Sequence, residues 1–333
     1  MMEKEILTEK LRKVRKEEEK PKVVFMPHFC IDLSVRYEGK KEAFLKDAEK
    51  IIEQGGGNIP TKNMLLRGGK AANCASAVSS LGAEAYLIAK TNNIGYEFLK
   101  NFSENDNFKI SHVKRNGELA STSAIELKEG NIMFSDQGST EGFSVKDITD
   151  DDKKLIADAD VVCISDWALN KKGTELARYV LELVKKNGKG KTFFDPGDPS
   201  FRKDIRDVTK ILDDGLVDMV SVNEDEFEKY LSSKPVKDVE ICLHTENFSC
   251  TFWKDRKYVV ETFDVNVKKH TGAGDAWGGG YIYGKAIGLK ERERIMLANA
   301  VAACYISNEE GKHPTKDELI DFLKKAKFKQ VTV

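Results

Sequence analysis

An alternation of two kinds of segment is the strongest constraint on how this chain folds. Beyond Pro21, short apolar runs at residues 22–26, 85–89, 161–165, 192–194, 219–222 and 241–243 each end in polar residues, and helical stretches at 69–81, 175–186 and 224–231 lie between them. Short, continuously apolar runs suit strands buried on both faces, and the intervening helices supply the crossovers that parallel strands need. The pattern predicts an α/β fold with a doubly wound, mostly parallel sheet. Two segments interrupt it. Residues 31–67 form a long excursion containing Gly55, Gly56 and Gly57, and residues 121–134 place two runs around a Lys-Glu-Gly-Asn turn signal, the pattern of a hairpin. These strands are expected outside the main sheet, as a small β lid drawn from residues within 33–66 and 118–140.

A length of 333 residues fits one large domain or two sharing a cleft, and 40% hydrophobic residues suffice for a sizeable core. The expected division is a charged N-terminal helix at 1–21, with Leu7, Leu11 and Val14 on one stripe, and an α/β domain at 22–333. Fifty-four basic against fifty-five acidic residues leave a formal charge of −1, so no global field draws nucleic acid or anionic lipid. Small molecules are the expected partners. The six cysteines contain no CxxC and lie mostly in apolar segments, the usage of free thiols in a reducing compartment. No apolar run reaches the roughly 18 residues that span a bilayer. A cytoplasmic protein is expected.

In an open parallel sheet, ligands bind beyond the carboxyl ends of the strands. The residues there are polar: Asp32, Asp166, Asp195, Asn223, His244 and Thr245. The most informative segment is His270-Thr271-Gly272-Ala273-Gly274-Asp275-Ala276-Trp277, followed by three glycines and an apolar helix, after an expected strand at 258–267. A Gly-Ala-Gly turn entering a helix aims backbone N–H groups, at the positive end of the helix dipole, toward a phosphate oxygen or developing anion. The bland alternative is that Asp275 only caps the helix. The P-loop pattern is absent, and Trp277 stands where a dinucleotide fold needs a small residue. A second segment, Arg67-Gly68-Gly69-Lys70-Ala71-Ala72-Asn73, opens a helix; paired glycines admit close approach to the backbone, and Asn73 can both donate and accept, as neighbouring sugar hydroxyls require.

Taken together, GGKAAN at 68–73, DPGDP from Asp195, NEDE from Asn223 and TGAGDAWGGG from Thr271 resemble the successive motifs of the PfkB/ribokinase family of carbohydrate kinases, in order and spacing over roughly residues 22–325. The resemblance implies a Rossmann-like kinase domain with a β lid, a Mg2+-nucleotide donor such as ATP, transfer of the terminal phosphoryl group to an alcohol, and a homodimer. It implies Asp275 as base and Gly272, Ala273 and Gly274 as the anion hole. Asn223 and Glu226 would form the Mg2+-phosphate network and contact the metal through water. Thr245, Thr271 and Asn299 would lie with the nucleotide, and Asp32, Gly68, Gly69 and Asn73 with the acceptor.

The chain departs from the family pattern at three places. Lys269-His270 stand where an acid helps to hold a monovalent cation, which leaves cation activation without that ligand. Residues 243–248 (LHTENF) lack both glycines of the usual loop beneath the nucleotide. Gly95-Tyr96-Glu97 replaces a Gly-x-Asp pattern. The expected function is therefore a sugar kinase. A nucleoside kinase and a catalytically silent sugar- or nucleotide-binding protein are the alternatives, and a dehydrogenase is a distant third.

Overall fold

The computed structural model describes residues 2–14, 20–102, 105–128, 130–232, 236, 238–269 and 271–330. Its strands are β1 Lys22–Met26, β2 Cys30–Arg36, β3 Lys62–Gly68, β4 Glu84–Leu87, β5 Ala89–Lys90, β6 Phe108–Lys109, β7 Val113–Lys114, β8 Ser121–Leu127, β9 Gly130–Asp136, β10 Val161–Ser165, β11 Lys191–Asp195, β12 Met219–Val222, β13 Glu240–His244, β14 Phe248–Trp253 and β15 Arg256–Glu261. The helices are α1 Met2–Lys13, α2 Lys41–Glu53, α3 Lys70–Ser80, α4 Asn93–Phe102, α5 Asp150–Asp158, α6 Gly173–Asn187, α7 Arg206–Asp213, α8 Glu224–Leu231, α9 Ala273–Ala286, α10 Glu291–Ile306 and α11 Lys316–Lys325.

The main sheet runs in the order β15-β14-β13-β12-β11-β10-β1-β4-β6, parallel from β13 to β6, with β14 and β15 added antiparallel at one edge. In β1, Val23 and Phe25 face one core with α3, α9 and α10, while Val24 and Met26 face a second core with α5 and α6. Both faces are buried, which is why the strands read as uninterrupted apolar runs. Two glycines of the 271–280 motif, Gly279 and Gly280, are packing devices. A Cβ on Gly279 would lie 2.5 Å from Ala77 Cβ of α3, and one on Gly280 would lie 2.9 Å from Ala298 Cα of α10, so the absent side chains let three helices approach.

A second sheet, in the order β3-β2-β8-β9, stands apart from the first. The expected hairpin is β8 and β9, whose turn includes Glu129, outside the described residues. The excursion at 31–67 contributes β2 and β3 and, unforeseen from sequence, the helix α2, on which no residue is buried. Asp32 was expected just after the first main-sheet strand. It lies inside β2, opposite Leu66 and Thr122, because the chain turns into the second sheet at Cys30. The expected strand at 258–267 stops at Glu261, opposite Phe248 where its partner β14 begins; beyond it the chain leaves β14 and makes only an isolated antiparallel bridge, Phe263 with Phe328. Residues 262–269 are instead a loop bordering two cavities.

At the amino terminus, α1 buries Leu7 and Leu11 and is held by Lys10 to Glu293 and Arg292 to Glu3; of the expected helix at 1–21, residues 1 and 15–19 lie outside the described ones.

Candidate active site

The site is built where α3 and α9 begin, at the carboxyl ends of the parallel strands. Gly69, at φ 89°, turns the chain from the second sheet into α3; a Cβ there would lie 2.6 Å from Phe29 Cα, so the helix starts hard against the loop after β1. Gly272, at φ 86°, makes the corresponding turn into α9. These left-handed conformations are ones glycine adopts without steric cost. The two helix starts bring Asn73 and Asp275 together, with Asn73 Nδ2 donating to Asp275 Oδ2 across 2.9 Å. Both are buried, at 5% and 8% exposure.

Lys70, the first residue of α3, places its ammonium 3.2 Å from both carboxylate oxygens of Asp195 and 3.9 Å from Asp275 Oδ1. Burial works against its charge, but Asp195, Asp275, Asp166 and Glu226 outweigh burial and hold it well above the ordinary lysine value. Lys70 is therefore an ammonium fixed among acids. Asp195 is pushed up to about 7, first by burial and then by the neighbouring carboxylates, against the pull of Lys70.

Below this cluster, His28 Nδ1 is hydrogen-bonded to Asp166 Oδ2. Inspection of strand ends, applied to β1, lands on His28 rather than on Asp32, and that is the signal by which this pair was findable. Asp166 sits in the left-handed region at φ 56° with its N–H donating to Asp195 O at 2.9 Å, so the ends of β10 and β11 are tied together. A non-glycine residue held there is a strained position of the kind found at functional sites.

Two cavities meet at the Thr271–Gly274 turn. The larger, about 770 Å³, lies between the second sheet and the main domain and is bordered by Asp32, Asn73, Glu126, Lys269, Thr271 and Gly272. Gly68 has a specific reason to be glycine: a Cβ there would lie 2.2 Å from Asp32 Oδ1. Burial raises the Asp32 carboxyl above its ordinary value, while the Cys30 thiol, donating at 3.1 Å, and His28 oppose the rise. Thr271 reaches across to the second sheet, accepting from Asn131 Nδ2 at 3.3 Å.

The smaller cavity, about 350 Å³, lies on the other side of the turn, bordered by Asn223, His244, Ala273, Gly274, Trp277 and Asn299, with apolar walls from Phe263, Val265 and Ile306. Asn223 and Glu226 cap α8 reciprocally: Asn223 Oδ1 accepts from Glu226 N at 2.9 Å, and Glu226 Oε2 accepts from Asn223 N at 3.0 Å. Thr245 Oγ1 accepts from Phe248 N at 3.1 Å and closes the β13-β14 turn. Asn299 accepts from Trp277 Nε1 at 2.8 Å and Ser249 Oγ at 2.7 Å and donates to the carbonyls of Val260 and Glu261. Its amide is fully engaged and builds the cavity wall. His270 lies outside the described residues.

A family model described as pfkB family carbohydrate kinase matches residues 39–318. The chain belongs to that family. Among relatives of this pfkB kinase is the 5-dehydro-2-deoxygluconokinase of Clostridium perfringens, 25% identical over 290 residues, which cover 78% of this chain and 84% of that protein. Among solved structures, Arabidopsis thaliana ribokinase complexed with ribose and ATP superposes with TM-score 0.71 at 18% identity, covering 92% of this chain and 99% of the other. Methanocaldococcus jannaschii nucleoside kinase does so with TM-score 0.68 at 19% identity, again over 92% and 99%. The expected ribokinase-like fold and the activity class, transfer of a phosphoryl group to an alcohol of a carbohydrate, stand. No helix among the described residues is long and apolar enough to cross a membrane.

Proposed function

We propose that this pfkB kinase transfers the terminal phosphoryl group of ATP, held in the smaller cavity, to a hydroxyl of a sugar or sugar derivative held in the larger one. The observation that carries this reading is the shared wall: Thr271 and Gly272 border the larger cavity, Ala273 and Gly274 border the smaller, and Asp275 follows them directly. Donor and acceptor are thus brought to opposite sides of a single helix-start turn whose N–H groups favour anionic oxygens.

Asp275 is the base. It takes the proton of the attacking hydroxyl as the new O–P bond forms and the bond to the nucleotide breaks, and Asn73 fixes which of its oxygens remains available. Lys70 keeps the Asp195 and Asp275 charges from repelling the incoming phosphate. Asp32 and the Gly68-Gly69 backbone hold acceptor hydroxyls beneath the second sheet, which acts as the lid and excludes competing water.

Oxygen donors around Asn223, Glu226 and Asp195 suit a hard divalent cation, and the burial and neighbouring carboxylates that raise Asp195 are what such a cation offsets. When bound, Mg2+ supplies neutralisation of the phosphate charge, and Asn223 and Glu226 are the residues to hold it through water. With Lys269 replacing the acid expected there, activation by a monovalent cation is not part of this proposal.

The second sheet leaves β3 and β9 as open edges and exposes Ile132, Met133 and Phe134 to 41%, 50% and 62%. Pairing with a second copy through this sheet covers both features, which supports a homodimer. Five buried thiols and a half-buried sixth support a reducing compartment, the cytoplasm. The test of the catalytic reading is ADP release over a panel of sugars, sugar acids and nucleosides. Turnover on a sugar or sugar acid is expected, and ADP release with nucleosides alone would assign the protein to nucleoside phosphorylation instead.

A further inference from the structure

One side chain at the smaller cavity has no task in the mechanism above. His244, the last residue of β13, borders that cavity in the segment where the sequence departs from the family pattern. Among the described residues neither of its ring nitrogens has a hydrogen-bond partner. The polar side chains beside it differ in this respect: Asn223 caps α8, Thr245 closes the β13-β14 turn, and Trp277 and Asn299 are bonded to each other.

The ring is held from two sides. A Cβ on Gly274 would fall 3.1 Å from His244 Cε1 and 3.6 and 3.9 Å from Nε2 and Nδ1, so the edge of the imidazole that carries both nitrogens lies against the helix-start turn. The second contact is the Trp277 indole, with ring centres 5.2 Å apart, and Trp277 in turn stacks on Tyr281. Burial, and after it the nearby Lys70 ammonium, push the His244 value down to about 3, so the imidazole is neutral near pH 7. A neutral imidazole has one N–H to donate and one lone pair to accept.

We infer that His244 binds the nucleotide donor, its ring N–H donating beside Gly274 to an oxygen of a phosphate that stays on the nucleotide. In the proposed reaction the acceptor approaches from the Thr271–Gly272 side of the turn, so the phosphates that leave run along the Ala273–Gly274 side, where the imidazole stands. A phosphate oxygen makes the bond charge-assisted, and a neutral donor adds no positive charge beside Lys70. The contact also breaks no bond within the protein, because the ring has none to give up. The inference rests on the assignment of this cavity to the nucleotide and deepens it by naming a side chain that reads its phosphates.

The experiment compares binding of Mg2+-ADP and of adenosine by calorimetry in wild type, His244→Phe and His244→Gln, with ATP and acceptor KM measured beside it and thermal melting as the control for folding. His244→Phe keeps a flat ring against Trp277 without a donor, and His244→Gln keeps an N–H. In His244→Phe, ADP Kd and ATP KM are expected to rise at least about tenfold, the effect of one lost hydrogen bond to a charged group, while adenosine Kd and acceptor KM change less than about twofold. His244→Gln is expected to stay within about threefold of wild type. In the wild-type protein the ring-nitrogen resonances of His244, assigned by their disappearance in His244→Gln, are expected to shift with Mg2+-ADP and to stay in place with adenosine; they decide the matter should His244→Phe fail to fold. Unchanged ADP Kd in folded His244→Phe, or ring resonances indifferent to ADP, overturns the contact and leaves the kinase reading standing. Equal losses for ADP and adenosine overturn it by making His244 a wall for the base, and a rise in acceptor KM alone overturns it by moving His244 to the acceptor. Wild-type protein that binds no ADP overturns this contact and the placement of the donor together.

Discussion

Asn73 and Asp275 join the first turns of two helices that lie about two hundred residues apart in sequence, through a single 2.9 Å hydrogen bond between buried side chains. The bond leaves Asp275 Oδ1, the oxygen on the Lys70 side, as the one not engaged by Asn73. In the proposed mechanism Asn73 is a positioning residue for the base as well as a donor to the acceptor. Truncation in Asn73→Ala is expected to lower kcat by about tenfold or more, from loss of a buried contact to a charged group, with little change in nucleotide Kd. Steady-state kinetics beside nucleotide titration check this, and an unchanged kcat removes Asn73 from the chemistry.

The contact between Gly68 and Asp32 makes a paired prediction. In Asp32→Ala the acceptor KM rises strongly while nucleotide affinity is nearly unchanged. Gly68→Ala is expected to copy that effect at a distance of one strand, because its methyl group displaces the Asp32 carboxylate from a place 2.2 Å away. A Gly68→Ala enzyme with normal acceptor KM shows that the carboxylate does not hold the acceptor where it now lies.

Much of this architecture was legible in the sequence. The uninterrupted apolar runs gave the parallel strands because both faces of β1, β10, β11 and β12 are buried, and the glycine turns at Gly69 and Gly272 announced the helix starts of the site. What stayed hidden has physical reasons. Helix α2 buries nothing, so its apolar residues had no core pattern to betray them. Asp32 was placed after a main-sheet strand because the chain passes into the second sheet within a few residues of Met26, too short a span for periodicity to register. The His28-Asp166 pair, the Lys70-Asp195 contact and the packing of His244 against Gly274 join residues distant in sequence, and no local pattern encodes them. Asn299 and Thr245 were expected beside the nucleotide; both border the smaller cavity, with side chains spent on holding the protein's own backbone and neighbours.

The buried pair beneath the site makes stability depend on pH. Burial alone would lower the His28 value, but the charge and hydrogen bond of Asp166 outweigh it and raise the value above the ordinary 6.5. A raised folded-state value stabilises fully below about pH 6.5 and loses that contribution as pH climbs through the folded value. Asp166, lowered by His28 and Lys70 despite burial, contributes above the ordinary 3.8 and loses that contribution on acidification. His28→Leu is expected to destabilise by about 3–5 kcal/mol, by stranding Asp166, and to remove the decline above pH 6.5. Denaturant unfolding across pH measures both, and parallel profiles in wild type and variant refute the assignment.

The second sheet predicts assembly. Light scattering at working concentration is expected to give a dimer, and Phe134→Asp, on the exposed strand β9, is expected to shift it toward monomer without changing the fold. A wild-type monomer contradicts the proposed interface.

The central claim is that Asp275 is the base of phosphoryl transfer. Asp275→Asn keeps the size of the side chain and most of its contact with Asn73 while removing the proton acceptor, and loss of a general base costs about 10² to 10⁴ in rate. The decisive measurement is kcat of Asp275→Asn, with thermal melting and nucleotide titration as controls in the same preparation. The account predicts a folded protein that binds nucleotide normally and turns over at least about a hundredfold more slowly; a folded Asp275→Asn enzyme with near wild-type kcat contradicts it and leaves Asp275 as a structural partner of Asn73 in the first turn of α9.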